Sequence, residues 1–326
     1  MIHPIDKTLA ILRDVMNAHS DTLSTKPSDR RTAAAAAPTD RRLALVRHLM
    51  EGVERRTGLD VGATLIEKLL ALTARSSLGA LESWVMELEG KPPPAPEWQA
   101  VIEALTVHET YFLRDPLQLN FLAGRLPNLI AEAEAERRYE LRLWSVGCAT
   151  GEEAYSLAML ALDALVAAGK ARERVDGIIP APPWRIEVLG SDLSITALKR
   201  AREGLYETGP LSSCRDLPPA YHRYFEAHQD GKRRGVRADL RRIVQFEPFN
   251  LMRDEAPPAS FDLVLCRNVL IYLSERARTH ALGLLESAVR AGGYLMLGAT
   301  DSLGEKTSFE TIWGRDAVIY RRGFHG

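Results

Sequence analysis

The chain lacks most of the features that announce specialised chemistry. Cysteine is scarce: Cys148, Cys214 and Cys266 are the three residues present, and no two of them stand in a C-x-x-C pair. That spacing excludes a zinc ribbon and a disulfide framework, so no metal ligand set is expected. Charge of one sign is not in excess either, with 42 Lys and Arg against 43 Asp and Glu. No global field therefore draws the protein to nucleic acid or to an anionic membrane. No apolar run approaches the ~20 residues that span a bilayer. The amphipathic stretch from Ile5 to Met16 is broken by Asp6, Lys7, Arg13 and Asp14, unlike a secretory signal. These absences lead us to expect a cytoplasmic protein with no nucleic-acid partner and no direct membrane insertion. The two commonest phosphate-binding patterns, G-x-G-x-x-G and the Walker motif, are also missing from the glycine turn described next.

What is present is an ordinary globular composition, 46% hydrophobic and 26% charged, and one organising stretch, Leu141 to Leu165. It opens with Leu141, Leu143, Ser145 and Val146, which suit a short buried strand. It then passes through Gly147-Cys148-Ala149-Thr150-Gly151 into an apolar face at helical spacing: Tyr155, Leu157, Ala158, Leu160, Ala161, Leu162 and Leu165. Strand, glycine turn and helix form the first unit of a doubly wound α/β sheet, whose ligands bind at the carboxyl ends of the strands.

The rest of the chain supports an α/β reading with a helical N-terminal part. Residues 1–41 read as a short helix and a flexible linker, and 42–110 as a small all-α domain. Its apolar stripes include Leu45, Val46, Leu49, Met50 and Val53, then Ile66, Leu69 and Leu70, then Leu81, Trp84, Val85 and Leu88. A single helix is expected around 116–137. Residues 111–326 form the α/β domain. Further strands are expected at Trp184–Gly190, Ile243–Glu247, Phe261–Cys266, Tyr294–Leu297 and Ala317–Tyr320, the last in an antiparallel closing hairpin. Ser194 caps a helix that Gly204 stops, and another helix runs from Ser274 to Arg290. Residues 205–240 read as an irregular insertion with a hairpin near Asp230-Gly231.

Charge narrows the ligand. The helix after the glycine turn begins with Glu152 and Glu153, which would repel a phosphate. Acids at this position also complement the helix dipole, so each has a purely structural reading. Taken with the turn, a cationic ligand without phosphate fits better, and S-adenosyl-L-methionine is such a ligand. Asp192, at the end of the second strand, is where this architecture holds ribose hydroxyls, or else it caps the following helix. Asn250-Leu251 offers an amide beside an apolar residue for an adenine. Arg267 leaves the fourth strand as a ligand contact or as a surface charge, and Cys266 reads as a packed small residue.

Four segments occur in order: Val107 to Asp115 (VHETYFLRD), Ser145 to Glu153 (SVGCATGEE), Gly190-Ser191-Asp192, and Cys266 to Tyr272 (CRNVLIY). Together they resemble the CheR-type methyltransferases, which esterify glutamates of chemotaxis receptors, over roughly 45–322. The resemblance implies a class I methyltransferase-like sheet, S-adenosyl-L-methionine as cofactor, S-adenosyl-L-homocysteine as product, and a chemoreceptor-like signalling protein as partner. It further implies that His108, Thr110, Arg114, Gly147, Glu153, Asp192, Asn250, Leu251, Arg267 and Asn268 bind the cofactor. Arg114 and Tyr272 would serve the reacting carboxylate.

Some positions depart from the family. His108 stands where asparagine is usual. The helix expected to meet an acidic receptor reads Ile66 to Arg75 (IEKLLALTAR), with Lys68 and Arg75 its only cations. Gly298-Ala299-Thr300-Asp301 replaces the usual Gly-His-Ser-Glu. Two other readings stay open on these grounds: a methyltransferase for a different acceptor, and a non-catalytic module that binds the cofactor to regulate a partner.

Overall fold

The computed structural model describes residues 38–324, except 61, 75, 92–94, 107, 176, 257–260, 305–307 and 316, and except the side chains of 38, 39, 63–65, 68 and 72. The expected helix and most of the expected linker, residues 1–37, lie outside the described residues, as do Arg75 and the side chain of Lys68. The described residues divide into two compact units, one on 38–107 with 273–277, the other on 108–272 with 278–324.

The first unit is helical: α1 Pro38–Thr57, α2 Ala63–Thr73, α3 Leu78–Glu89 and α4 Pro96–Leu105. Residues 38–41, expected to be linker, are already the first turn of α1. The expected stripes become the core, with Val46, Leu49, Val53, Leu69, Leu81, Trp84 and Trp98 buried together. The Arg56 guanidinium carbon lies 3.8 Å from the centre of the Trp98 ring, a cation–π contact against the indole.

The second unit opens with α5 Pro116–Ala123 and α6 Leu126–Ala135. The single helix expected around 116–137 is therefore two. Pro127 has no N–H to continue the ladder of the first, and Gly124 takes its C-cap. There follow β1 Glu140–Val146, α7 Glu152–Ala167, β2 Ala171–Arg174, β3 Gly177–Pro180, β4 Arg185–Asp192, α8 Ile195–Glu203, β5 Leu205–Glu207, β6 Phe225–Ala227, β7 Arg233–Val236, α9 Ala238–Arg242, β8 Val244–Pro248, β9 Phe261–Cys266, α10 Glu275–Ala288, β10 Val289–Leu297, β11 Phe309–Trp313 and β12 Val318–Arg322.

Seven strands make the main sheet, in the order β11-β12-β10-β9-β1-β4-β8. Pairing is parallel from β8 through β10 and antiparallel for β12 and β11, the doubly wound sheet with a closing hairpin expected from the sequence. Every residue of β9 is buried, as a central parallel strand requires. Between α8 and α9 the insertion forms a three-stranded antiparallel sheet, β5-β7-β6. The β6–β7 pair is the hairpin expected near Asp230, and β5 adds a strand that was not foreseen. The β2–β3 hairpin was not foreseen either.

Register fixes where a site can form. Ser145 of β1 lies level with Gly190 of β4 and Leu265 of β9, and Cys266 lies level with Leu297 of β10. The glycine turn, Asp192, Arg267, Asn268 and Gly298 therefore emerge at one edge of the sheet. No helix among the described residues is long and apolar enough to cross a membrane.

Candidate functional site

The glycine turn is pinned to its neighbouring strand. The N–H groups of Gly147 and Cys148 both donate to the Ser191 carbonyl, at 2.7 and 2.9 Å. Gly147 has φ +71°, and a Cβ there would intrude on Val269 Cγ2. Gly151, at φ +96°, caps α7, and its Cβ would lie 2.7 Å from that of Ala201. Glycine meets both demands at once, a left-handed backbone and a close neighbour. Between them the Ala149 N–H donates to Asp192 Oδ2 at 2.8 Å. Asp192 Oδ1 accepts the Ser194 N–H, also at 2.8 Å. Asp192 thus braces the turn and opens α8.

The two acids that the sequence presents as one charged helix start go separate ways. Glu152 turns inward and is 1% exposed. Its Oε2 accepts the Thr150 hydroxyl at 2.7 Å and its Oε1 the Ser213 hydroxyl at 2.6 Å. Burial raises its carboxyl above the ordinary range, against the pull of those two hydroxyls. Glu153 accepts the Ser145 hydroxyl at 2.7 Å and lies 3.3 Å from Arg267 Nη1. Burial raises its carboxyl too, opposed chiefly by the Arg267 charge and further by Ser145 and Arg114.

Arg267 is not a surface charge, because its side chain is 1% exposed. Nε donates to Gln118 Oε1 at 2.9 Å, and Nη2 donates to the Arg114 carbonyl and to Asp115 Oδ2, both at 2.8 Å. With Glu153 on Nη1, most of its five N–H donors are spent on the protein itself. Arg267 also ties the segment carrying Arg114 to the end of β9.

That segment holds His108 and Thr110 half-buried and Phe112 buried, the last edge-on to Tyr206 and Phe225 at 4.8 and 4.9 Å. Leu113 and Asp115 both have φ +56°. Arg114, between them, donates from Nη1 to the Glu109 carbonyl at 3.0 Å. Asn250 follows β8; its Oδ1 accepts the Met252 N–H at 2.9 Å, and Leu251 beside it is buried. Its neighbour Phe249 donates its N–H to the Asp192 carbonyl at 3.0 Å, which brings this turn to the β4 end. Asn268 is half-buried at φ +57°. Tyr272 is 43% exposed, and its N–H donates to the Val269 carbonyl at 3.0 Å.

Glu153, Arg267 and Arg114 thus stand in one bonded set and the Gly147 turn and Asp192 in a second, with Asn250 and Asn268 at the same sheet edge. Gln118, Ser145, Ser156, Ser191 and Ser213 complete the site. Sequence reasoning assigned them no role; for Ser145 and Ser156 the available signal was a serine embedded in an apolar run, and Ser213 in its polar stretch carried none.

A phosphate-free cation fits this donor set. The amides of Gly147, Cys148, Ala149 and Gly151 are consumed by Ser191, Asp192 and Cys148, so they form no open array for an anion. The turn instead offers carboxylates, which suits the ammonium and hydroxyl groups of S-adenosyl-L-methionine.

Residues 108–318 match the family model of the CheR methyltransferase, SAM binding domain. The chain is 34% identical to a chemotaxis protein methyltransferase of Vibrio parahaemolyticus over 224 residues, 68% of this chain and 75% of that protein. It is 32% identical to chemotaxis protein methyltransferase 1 of Pseudomonas aeruginosa over 259 residues, 78% of this chain and 87% of that one. An uncharacterised 104.1 kDa protein of Rhodobacter capsulatus is 35% identical over 196 residues, 60% of this chain and 18% of the larger one.

Proposed function

The chain belongs to the CheR methyltransferase family, and we propose that in the cytoplasm it esterifies glutamate side chains of a chemoreceptor with the methyl group of S-adenosyl-L-methionine. The observation that carries the reading is the joining of the Arg114 segment to the glycine-turn edge through Arg267 and Glu153. It sets a guanidinium for a carboxylate acceptor beside carboxylates suited to a cationic donor.

When bound, S-adenosyl-L-methionine supplies an electrophilic methyl group on a sulfonium. Glu153, Asp192, Asn250, Leu251 and Asn268 would hold it from the sheet edge, with Gly147 giving close approach and His108 and Thr110 closing from the entering segment. The acceptor glutamate, with an ordinary pKa of about 4.3, is already an anion at neutral pH. The protein therefore has no proton to remove. Arg114 orients the acceptor through a forked pair of hydrogen bonds, and the Tyr272 hydroxyl holds its position. Because two opposite charges vanish in the reaction, a site that excludes water favours it.

The test is to incubate the purified protein with methyl-labelled cofactor and receptor-bearing membranes. Label that base releases as methanol is expected. Base-stable label would identify a different acceptor chemistry. Absence of label with intact S-adenosyl-L-homocysteine binding would identify a non-catalytic module.

A further inference from the structure

Ser213, in the insertion, touches the site from two sides. Its hydroxyl donates to Glu152 Oε1 at 2.6 Å, and its carbonyl accepts the Phe112 N–H at 2.9 Å. Close by, Arg215 lies 4.0 Å above the Tyr111 ring, with Nη2 3.4 Å from Glu109 Oε1. From α7, the Ser156 hydroxyl accepts the Leu113 N–H at 3.0 Å and donates to the Glu152 carbonyl at 2.6 Å. The segment 109–115 is gripped between the insertion and the first turn of α7. Glu152 belongs to both halves of the grip, one through its side chain and one through its backbone.

The segment needs such a grip. Leu113 and Asp115 sit at φ +56°, a region that residues with a side chain enter at a cost and hold only when their surroundings demand it. Arg114 lies between them, so relaxation of either neighbour re-aims its guanidinium.

We propose that Glu152 is a positioning residue for methyl transfer: by holding Ser213 and Thr150 it fixes the strained turn that aims Arg114. This rests on the methyltransferase reading above. Both carboxylate oxygens are occupied by hydroxyl donors, so Glu152 acts through its neighbours. Glutamine keeps its shape and can still bond both hydroxyls, since a hydroxyl donates or accepts as required. Alanine can do neither.

The test compares the full chain with Glu152→Gln, Glu152→Ala, Ser213→Ala and the double alanine variant. Three quantities are read: single-turnover methyl transfer to receptor membranes, S-adenosyl-L-homocysteine affinity by calorimetry, and amide hydrogen exchange of 109–115 in that complex. Each alanine variant should slow transfer about tenfold. The double variant should be slowed far less than the product of the two, since both remove one contact. Affinity should change by no more than about threefold, while exchange in 109–115 quickens. Glu152→Gln should restore most of the rate and the protection. Unchanged exchange at 109–115 in the alanine variants would overturn the proposal, and so would a rate loss matched by an equal loss of affinity. Should Glu152→Ala fail to fold, Ser213→Ala alone decides, because only one exchangeable contact is lost. A parent protein that forms no base-labile ester would refute the methyltransferase reading by itself, and the exchange data would still decide the grip.

Discussion

Arg267 Nη2 donates to the carbonyl oxygen of Arg114 at 2.8 Å, joining residues 153 positions apart. The same guanidinium serves Gln118, Glu153 and Asp115. Its removal would leave a largely buried carboxylate and a carbonyl without their donor. Breaking such a set from one side costs more than the set contributes when whole. Arg267→Ala should lower unfolding free energy by about 3 kcal/mol in urea at neutral pH. Arg267→Lys should recover only part of this, because an ammonium cannot reach acceptors spread around a planar fork. An alanine variant as stable as the parent would contradict the assignment of Arg267 as a tie.

At Gly147 two separate demands can be told apart by mutation. Gly147→Ala introduces a Cβ into Val269 and places a side chain at φ +71°. S-adenosyl-L-homocysteine affinity should fall at least about tenfold. Val269→Ala in the same chain should return part of the loss, since it removes the clash and leaves the backbone cost. Full recovery would mean that the φ carries no penalty.

Much of this was legible beforehand, for identifiable reasons. The unit from β1 through α7 shows in periodicity, the Ser194 cap and Gly204 stop follow local chemistry, and β9 reads as an apolar run interrupted only by Asp262. The destination of charged side chains was not legible. Arg267 is buried because Asp115 and Gln118 at the start of α5 and Glu153 in α7 converge on it, and periodicity carries no such information. The β2–β3 hairpin is too short to show a pattern, and it is secured from a distance by Asp239, whose Oδ2 accepts the Ile178 N–H at 2.7 Å. Glu152 and Glu153 look equivalent in sequence, and their partners distinguish them: Thr150 and Ser213 for the first, Ser145 and Arg267 for the second.

Burial gives Glu152 a definite signature against pH. Its carboxyl is raised in the folded protein above the ordinary glutamate value, so the folded state binds this proton more tightly than the unfolded one. Its contribution to stability is therefore fullest below that value and is lost as pH rises through the raised range. Glu152→Gln should be more stable than the parent at pH ~7, with the advantage shrinking as pH falls toward the ordinary carboxyl range. Thermal unfolding of both proteins across that range checks it. A constant difference would assign the effect to packing instead of charge.

The cations of α1 are largely balanced within the helical unit. Arg41 pairs with Glu82 at 3.0 Å, Arg42 donates to the Ser76 carbonyl at 2.8 Å, and Arg55 lies 3.8 Å from Glu89. They do not add up to a displayed basic stripe. Methylation of receptor should therefore fall by less than about threefold between ~0.05 and ~0.5 M salt, since strong steering by surface charge is what salt screens. A steep fall would show that a basic docking face operates, and charge reversal at Arg47, set beside reversal at Lys68, would locate it.

The order of the sheet also bears on how the chain is made. Strand β1 lies between β4 and β9, and Glu153 meets its counter-charge 114 positions later. A ribosome adding roughly 5–20 residues per second exposes β1 and its acidic neighbour for several seconds before β9 and Arg267 emerge. During that interval an inner strand of the sheet has an open edge, and a carboxylate destined for burial lacks its counter-charge. The cofactor pocket is thus among the last parts to close, and nascent chains that stop short of residue 267 should be the ones that chaperones and proteases find.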